Sequence, residues 1–237
     1  MCIANTIAID GPAGSGKTTL GKKLADELDF LFFDTGVIYR AVTWLAIERG
    51  ILLEDEAELT ALAEQADIDV HPPSQSDGRS SDVVANGRDI TWEIRRPEVD
   101  ANVSIVSAFA GVRKALTSQQ RKIGLRGQVV MVGRDIGTVV LPDAELKVYL
   151  DASVEERARR RYCELRERGE QVVLEEILTG MLRRDQIDST RDIAPLRPAE
   201  DAVVLNSEYL DAGQVVQRVT ELLAERKNQV HVCRHKP

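Results

Sequence analysis

The densest chemistry in the chain lies near its N-terminus. Gly11, Pro12, Ala13, Gly14, Ser15, Gly16, Lys17 and Thr18 satisfy G-x-x-x-x-G-K-[ST] in full, with Thr19 following. The motif comes after an apolar run, Thr6 to Asp10, and opens a stretch with helical periodicity, Lys17 to Leu28. Strand, glycine-rich turn and helix in that order are the context a phosphate cradle requires. The glycines let successive backbone N–H groups turn inward as an anion nest. The helix that follows aims its positive N-terminal end at the same point. Lys17 then reaches the β- and γ-phosphates, and the Thr18 hydroxyl ligates Mg²⁺. These residues predict a nucleoside triphosphate site, though the motif alone does not separate kinase from ATPase or GTPase. An N-K-x-D guanine-reading motif is missing, as is a D-x-x-G switch motif after a strand. Gly133-Arg134-Asp135 follows a later apolar run instead, and an arginine there suits an anionic acceptor better than a hydrolytic water.

Arginines crowd the segments expected to be loops. Transfer of a γ-phosphoryl group between two nucleotides gathers many negative charges, and the protein's task is to position and neutralise them. Bidentate cations facing the phosphate loop serve that purpose. The candidates are Arg40 in DTGVIYR, Arg113 in GVRKAL, Arg134 in GRDIGT, and Arg184 and Arg191 in RRDQIDSTRDIAPL. A solvated helix face with acidic neighbours is the plainer reading of any one of them. It fits Arg157 and Arg159 in part, because Glu155 and Glu156 lie close in sequence. It fits Arg134 poorly, since that residue sits just past a buried strand.

The elements that must position these residues follow from the rest of the chain. Its 237 residues carry a net charge of −8, with 43% apolar and 30% charged residues. This is the composition of a globular protein with a sizeable core, and it argues against a life spent wrapping a nucleic-acid polymer. No apolar run reaches 18 residues, so no membrane span is predicted. The N-terminus does not read as a secretion signal, and Cys2, Cys163 and Cys233 are an odd, scattered set without metal-ligand spacing. Reduced thiols and a cytoplasmic location are expected. Short apolar runs alternate with longer helical patterns: Thr6–Asp10, Phe30–Phe33, Val129–Val132, Leu146–Leu150 and Ala202–Leu205 are the expected strands. That rhythm predicts an α/β fold with a mainly parallel sheet.

The stretch from 67 to 102 breaks the rhythm. Asp67–Val70, Ser81–Ala85 and Arg88–Thr91 read as short strands, with Asn86-Gly87 as a tight hairpin turn. A small antiparallel insert on a single domain is expected. Ser153–Arg168 reads as a very basic helix, and the tail from 228 to 237 as polar and frayed.

The chain resembles the bacterial-type cytidylate kinase family of nucleoside monophosphate kinases, over roughly Thr6 to Leu223. The resemblance rests on IAIDGPAGSGKTT, DTGVIYRAV, NGRDITWEIRRPEV, GRDIGTVVLPDAELKVYLDAS, EERARRR and RRDQIDSTRDIAPL. DTG-x-x-YR, GRDIGT and D-S-x-R-x-x-APL in this order are its specific part. It implies a P-loop three-layer fold with a five-stranded parallel sheet, a monophosphate-binding insert at 67–102 and a helical lid at 155–170. It implies transfer of phosphate from ATP, with Mg²⁺, to CMP or dCMP, by a monomer that closes on its substrates. Carried over motif by motif, Thr35, Ser104, Arg113 and Asp135 surround cytosine. Arg40, Arg134 and Arg191 hold the acceptor phosphate, and Asp188 with Arg184 lies at the sugar. Arg160 and Arg161 are the lid arginines over ATP. Lys17, Arg134, Arg161 and Arg191 are the cations expected to act on the transferring group.

Two positions depart from the family pattern. Val132 stands where the family usually has Asp or Glu before G-R-D, so Mg²⁺ is left to Thr18, the phosphates and Asp34. Arg96 stands where Thr is frequent, a lesser change. The valine motivates an alternative, a nucleotide-binding protein of low turnover. A kinase for another small acceptor, such as UMP, is a further one, and the Asp135–Arg113 pair disfavours it.

Overall fold

Strand β1, Ile3–Asp10, is buried on both faces from Thr6 onward, as a central parallel strand must be. A computed structural model describes the backbone of residues 3–71 and 73–234, and the side chains of 5–71 and 73–225. Five strands form one parallel sheet: β1, β2 (Leu31–Asp34), β6 (Val129–Gly133), β7 (Ala144–Asp151) and β8 (Val203–Asn206). Their order is β2-β6-β1-β7-β8. β6 is buried at every residue, whereas the edge strands β2 and β8 include exposed positions. Helices lie on both sides of the sheet. From β1 the chain crosses one way to β2, and from β6 the other way to β7. This reversal opens a crevice at the carboxyl ends of β1 and β6. Asp10 stands beside Gly133 there, and Asp34 beside Val132.

Helix α1, Lys17–Leu28, buries Lys17, Leu20, Gly21, Leu24 and Ala25, a spacing that keeps one face on the sheet. Leu20, Leu24 and Ala25 pack with Ile7, Ile9, Val130 and Val132, and with Val215, Val216 and Val219 of α8 (Ala212–Arg234). Full burial of Leu24 contributes about 2 kcal/mol. The backbone of α8 is helical through 228–234, where the sequence predicts a frayed tail; 235–237 lie outside the described residues. Helices α6 (Val154–Glu167) and α7 (Leu174–Thr190) complete this part of the molecule. Ser153 caps α6 by accepting from the Glu156 N–H, with Glu155 and Glu156 in the first turn.

The chain divides into two compact units. The first holds the described residues up to Asp34, Arg121–Thr190 and those from Ala194 onward; the second holds Thr35–Gln120 and Arg191–Ile193. In the second unit, α2 (Gly36–Glu48) and α3 (Glu56–Gln65) precede a three-stranded antiparallel sheet of β3 (Ile68–His71), β4 (Asp82–Ala85) and β5 (Arg88–Asp89). Asn86 and Gly87 both have positive φ, 51° and 78°, as a two-residue turn that matches the strand twist requires. α4 (Pro97–Val106) then follows, so the expected end of the insert at 102 falls inside a helix, and α5 (Ala110–Gly124) leads back to the parallel sheet. No helix among the described residues is long and apolar enough to cross a membrane. Cys163 is an exposed free thiol, and Cys2 lies outside the described residues.

Candidate functional site

The phosphate loop occupies the end of β1 as the sequence predicts, and its glycines have steric reasons. A Cβ on Gly11 would lie 2.1 Å from the Leu150 carbonyl oxygen, inside any contact distance. Gly14, at φ +78°, takes up a left-handed conformation with the Arg157 side chain and Met181 against it. Gly16 serves as the left-handed N-cap of α1, with no side chain bonded across the first amides. Lys17 is buried and folds back on the loop, donating to the Pro12 carbonyl at 2.6 Å. Burial pushes its ammonium pKa well down, and the Arg134 charge adds to this; Arg184 acts the same way, while Asp34 and Asp10 oppose it. Two guanidinium groups of the first unit thus press on Lys17, an arrangement that a polyanion relieves.

The carboxyl end of the sheet carries the next layer. Asp10 is buried and accepts from the backbone N–H groups of Ile136 and Gly137, both at 2.7 Å. Burial raises its carboxyl pKa to about 6, against the pull of those two donors. It anchors the π-helical turn Ile136–Val140 that follows Arg134 and Asp135. Arg134 donates through Nε to Asp188 Oδ2 at 2.9 Å. Burial alone lowers its guanidinium pKa, but Asp188, Asp34 and Asp185 outweigh it and hold the group firmly charged. Asp188, expected at the sugar, is itself buried on α7 as the partner of Arg134. Asp135 is buried beside this turn.

Thr18 and Asp34 come together: the Thr18 hydroxyl donates to Asp34 Oδ2 at 3.2 Å. A hydroxyl and a carboxylate are the hard oxygen donors that Mg²⁺ takes when phosphates and water fill the rest of its shell. Val132 pairs in register with Asp34 and with Ile9, so the missing acid of β6 has a carboxylate on the adjacent strand end. The Val132 side chain is directed at α1: its Cγ1 lies 2.7 Å from where a Cβ on Gly21 would stand. The position belongs to the apolar cluster between sheet and helix.

In the second unit, Thr35 is buried at the N-cap of α2. Arg40, one turn along that helix, bridges to Asp100 and donates to the Ile94 carbonyl at 3.3 Å. Ser104 is buried on α4. Arg113, buried on α5, donates to the Ser107 carbonyl at 2.9 Å and lies 5.3 Å above the Tyr39 ring centre. Arg191 is buried.

The two expected lid arginines are engaged on and near α6. Arg160 pairs with Glu156 and reaches the Ser207 hydroxyl and carbonyl at 3.1 and 2.7 Å, and Arg161 pairs with Glu164. Ser207, which no motif pointed to, also donates to the Ser15 carbonyl of the phosphate loop at 3.0 Å. Arg159 does pair with Glu156, whose carboxyl is pushed down to about 2 chiefly by that bond. Arg157 does not: the acidic neighbours suggested a solvated face, and the structure turns its guanidinium inward instead. The phosphate-loop and arginine motifs give no role to Asp10 or Asp185. For Arg157 the sequence does carry a signal: it shares a helical face with the apolar Val154 and stands beside Ala158, which the structure buries.

The sheet order, the loop at the end of β1 and the cations around it define a P-loop nucleoside-triphosphate-binding protein. The family model described as cytidylate kinase matches residues 7–225. The cytidylate kinase of Herpetosiphon aurantiacus is 49% identical over 223 residues, 94% of this chain and 96% of that one. That of Carboxydothermus hydrogenoformans is 48% identical over 94% of this chain and 99% of its own length. This chain belongs to the cytidylate kinase family. Among solved structures, an uncharacterised protein from Eubacterium ventriosum shares the fold, with a TM-score of 0.50 at 11% identity over 92% of this chain and 98% of that one.

Proposed function

We propose that the protein transfers the γ-phosphoryl group of MgATP to CMP or dCMP, giving ADP with CDP or dCDP. The observation that carries this is the full phosphate loop with Lys17 buried beside the charges of Arg134 and Arg184, on a chain of this family. An oxygen of the acceptor phosphate is already a nucleophile, so no catalytic base is called for. It attacks the γ-phosphorus as the bond to the β–γ bridging oxygen breaks, and the spreading negative charge is met by fixed cations. Lys17 serves the transferring group, joined by Arg134, Arg161 and Arg191. Gly11–Thr19 cradle the donor phosphates, with Arg160 closing over ATP. Arg40, Arg134 and Arg191 hold the acceptor phosphate, and Arg184 with Asp188 serves the sugar. Mg²⁺, which neutralises charge on the phosphates when bound, would be held by Thr18 and Asp34.

Thr35, Ser104, Arg113 and Asp135 read the base. Cytosine offers an amino donor beside two acceptors, which a carboxylate and an arginine complement; uracil puts the acceptor O4 where the amino group stands and so sets an acceptor against the carboxylate. The scattered cysteines support work in the cytoplasm, and the resemblance to the family supports a monomer. Turnover with ATP and a panel of CMP, dCMP, UMP and AMP tests the reading, and also separates it from a low-turnover nucleotide binder. CMP and dCMP should be the best acceptors. Asp135→Asn should lower the CMP-to-UMP ratio of kcat/KM by about tenfold or more, because asparagine also donates to the uracil oxygen. An unchanged ratio removes Asp135 from the base pocket.

A further inference from the structure

One buried guanidinium joins three pieces of the first unit. Arg157 has a side chain only 5% exposed. Its Nε donates to the Ala152 carbonyl at 3.0 Å, and its Nη1 to the Ala13 carbonyl, inside the phosphate loop, at 3.0 Å. The same Nη1 and the Nη2 take both oxygens of Asp185 on α7, the first at 3.2 Å. The loop makes room for this contact at Gly14, where a Cβ would stand 3.2 Å from the Arg157 Cβ and 3.3 Å from Met181 Cε. Asp185 lies three residues before Asp188, one helical turn away, and Asp188 accepts from Arg134.

A buried ion pair is weak evidence for stability, because desolvation of both charges offsets their attraction. What such a pair does supply is geometry. A planar fork that satisfies a carboxylate and two carbonyls at once permits one arrangement of the three segments. On the function proposed above, the phosphate loop takes the donor and Arg134 takes the acceptor. The path Ala13–Arg157–Asp185–Asp188–Arg134 runs between them. We infer that Arg157 and Asp185 are a positioning pair for phosphoryl transfer: they set the register of α7 against the tip of the phosphate loop, so that occupancy of the loop is felt at Arg134.

The test is a binding cycle on the wild type, Arg157→Lys and Asp185→Asn, using a non-hydrolysable ATP analogue and CMP, each alone and each in the presence of the other. In the wild type the two ligands should change one another's affinity by about fivefold or more. In each variant the affinities measured singly should stay within about threefold of wild type, while the mutual effect falls to near one. kcat should drop about tenfold with both KM values little changed. A second readout leaves the acceptor out: the ¹⁵N–¹H signal of Arg134 Nε should move when the analogue binds the wild type and move by less than half as much in the variants, where only the direct effect of the phosphates is left. If CMP fails to bind at all, the functional reading fails while this second measurement still judges the pair. A wild type without mutual effect and without movement of the Arg134 signal overturns the proposal, as do variants that keep both. Should Arg157→Lys fail to fold, Asp185→Asn decides, since asparagine preserves volume. If neither variant folds, the pair holds the fold together and does not position it, and the proposal falls.

Discussion

Arg79 and Arg157 are buried to nearly the same degree, with side chains 4% and 5% exposed, yet they do different work. Arg79 lies in the turn-rich segment before β4 and gathers Asp77, Asp82 and Asp89, none more than ten residues away in sequence. Its guanidinium pKa is held up first of all by Asp77, whose own carboxyl is held well below the usual range by the same bond. Trp92 adds a bond to Asp77 at 3.1 Å. The result is a loop closed on itself. Arg157 takes one carboxylate 28 residues away and a carbonyl 144 residues away, and so ties separate elements to the phosphate loop. A buried cation with near neighbours in sequence organises its own segment; one with distant partners organises a site.

The sharpest break in that contrast concerns the residue the distant framework serves. Lys17→Met should lower kcat by about 10³-fold, because on the proposed function the Lys17 ammonium neutralises the transferring phosphoryl and the variant removes it. Its effect on stability should have the opposite sign. Lys17 is pushed toward its neutral form by burial and by Arg134, so its charged state costs the unliganded fold free energy at neutral pH. The melting temperature of the variant should therefore rise by a few degrees. Turnover within tenfold of wild type would remove the phosphate loop from its assigned role.

Arg79→Met tests the local side. The antiparallel segment should loosen, lowering the melting temperature and speeding proteolysis between 73 and 80. Affinity for an ATP analogue should change less than about twofold. A tenfold loss of that affinity would mean that locally paired and distantly paired arginines do not differ as described.

The smallest effect is a pH dependence at Asp10. Its folded pKa, about 6, lies above the unfolded value, so the stability it contributes is full at low pH and is lost as pH rises through 6. Asp10→Asn removes this titration. The stability of the variant relative to wild type should therefore grow by on the order of 1 kcal/mol between pH 5 and 7.5. Urea midpoints at the two pH values measure it. A difference that shrinks or stays flat would show that the two N–H donors, not burial, dominate at this carboxylate.

Much was legible beforehand wherever structure and sequence share a short range. The phosphate loop, α1, the five parallel strands and the Asn86-Gly87 turn all fall where spacing and composition predict them, within one to three residues at most strand ends. Each depends on groups less than about ten residues apart: apolar residues at helical or strand period, glycines where φ must be positive, a polar turn between two runs. The motifs also named Lys17, Thr18, Asp34 and Arg134 as chemistry. What stayed hidden was the choice of partner. Nothing in EERARRR tells which carboxylate Arg157 meets when it turns inward while Arg159 stays on Glu156, or that Asp188 meets Arg134, or that Asp34 stands in register beside Val132. Those pairings depend on the strand order and on how α6 and α7 lie against the loop. An arginine on an amphipathic helix has acidic neighbours in sequence and in space, and only the packed arrangement determines which of them it loses water to meet.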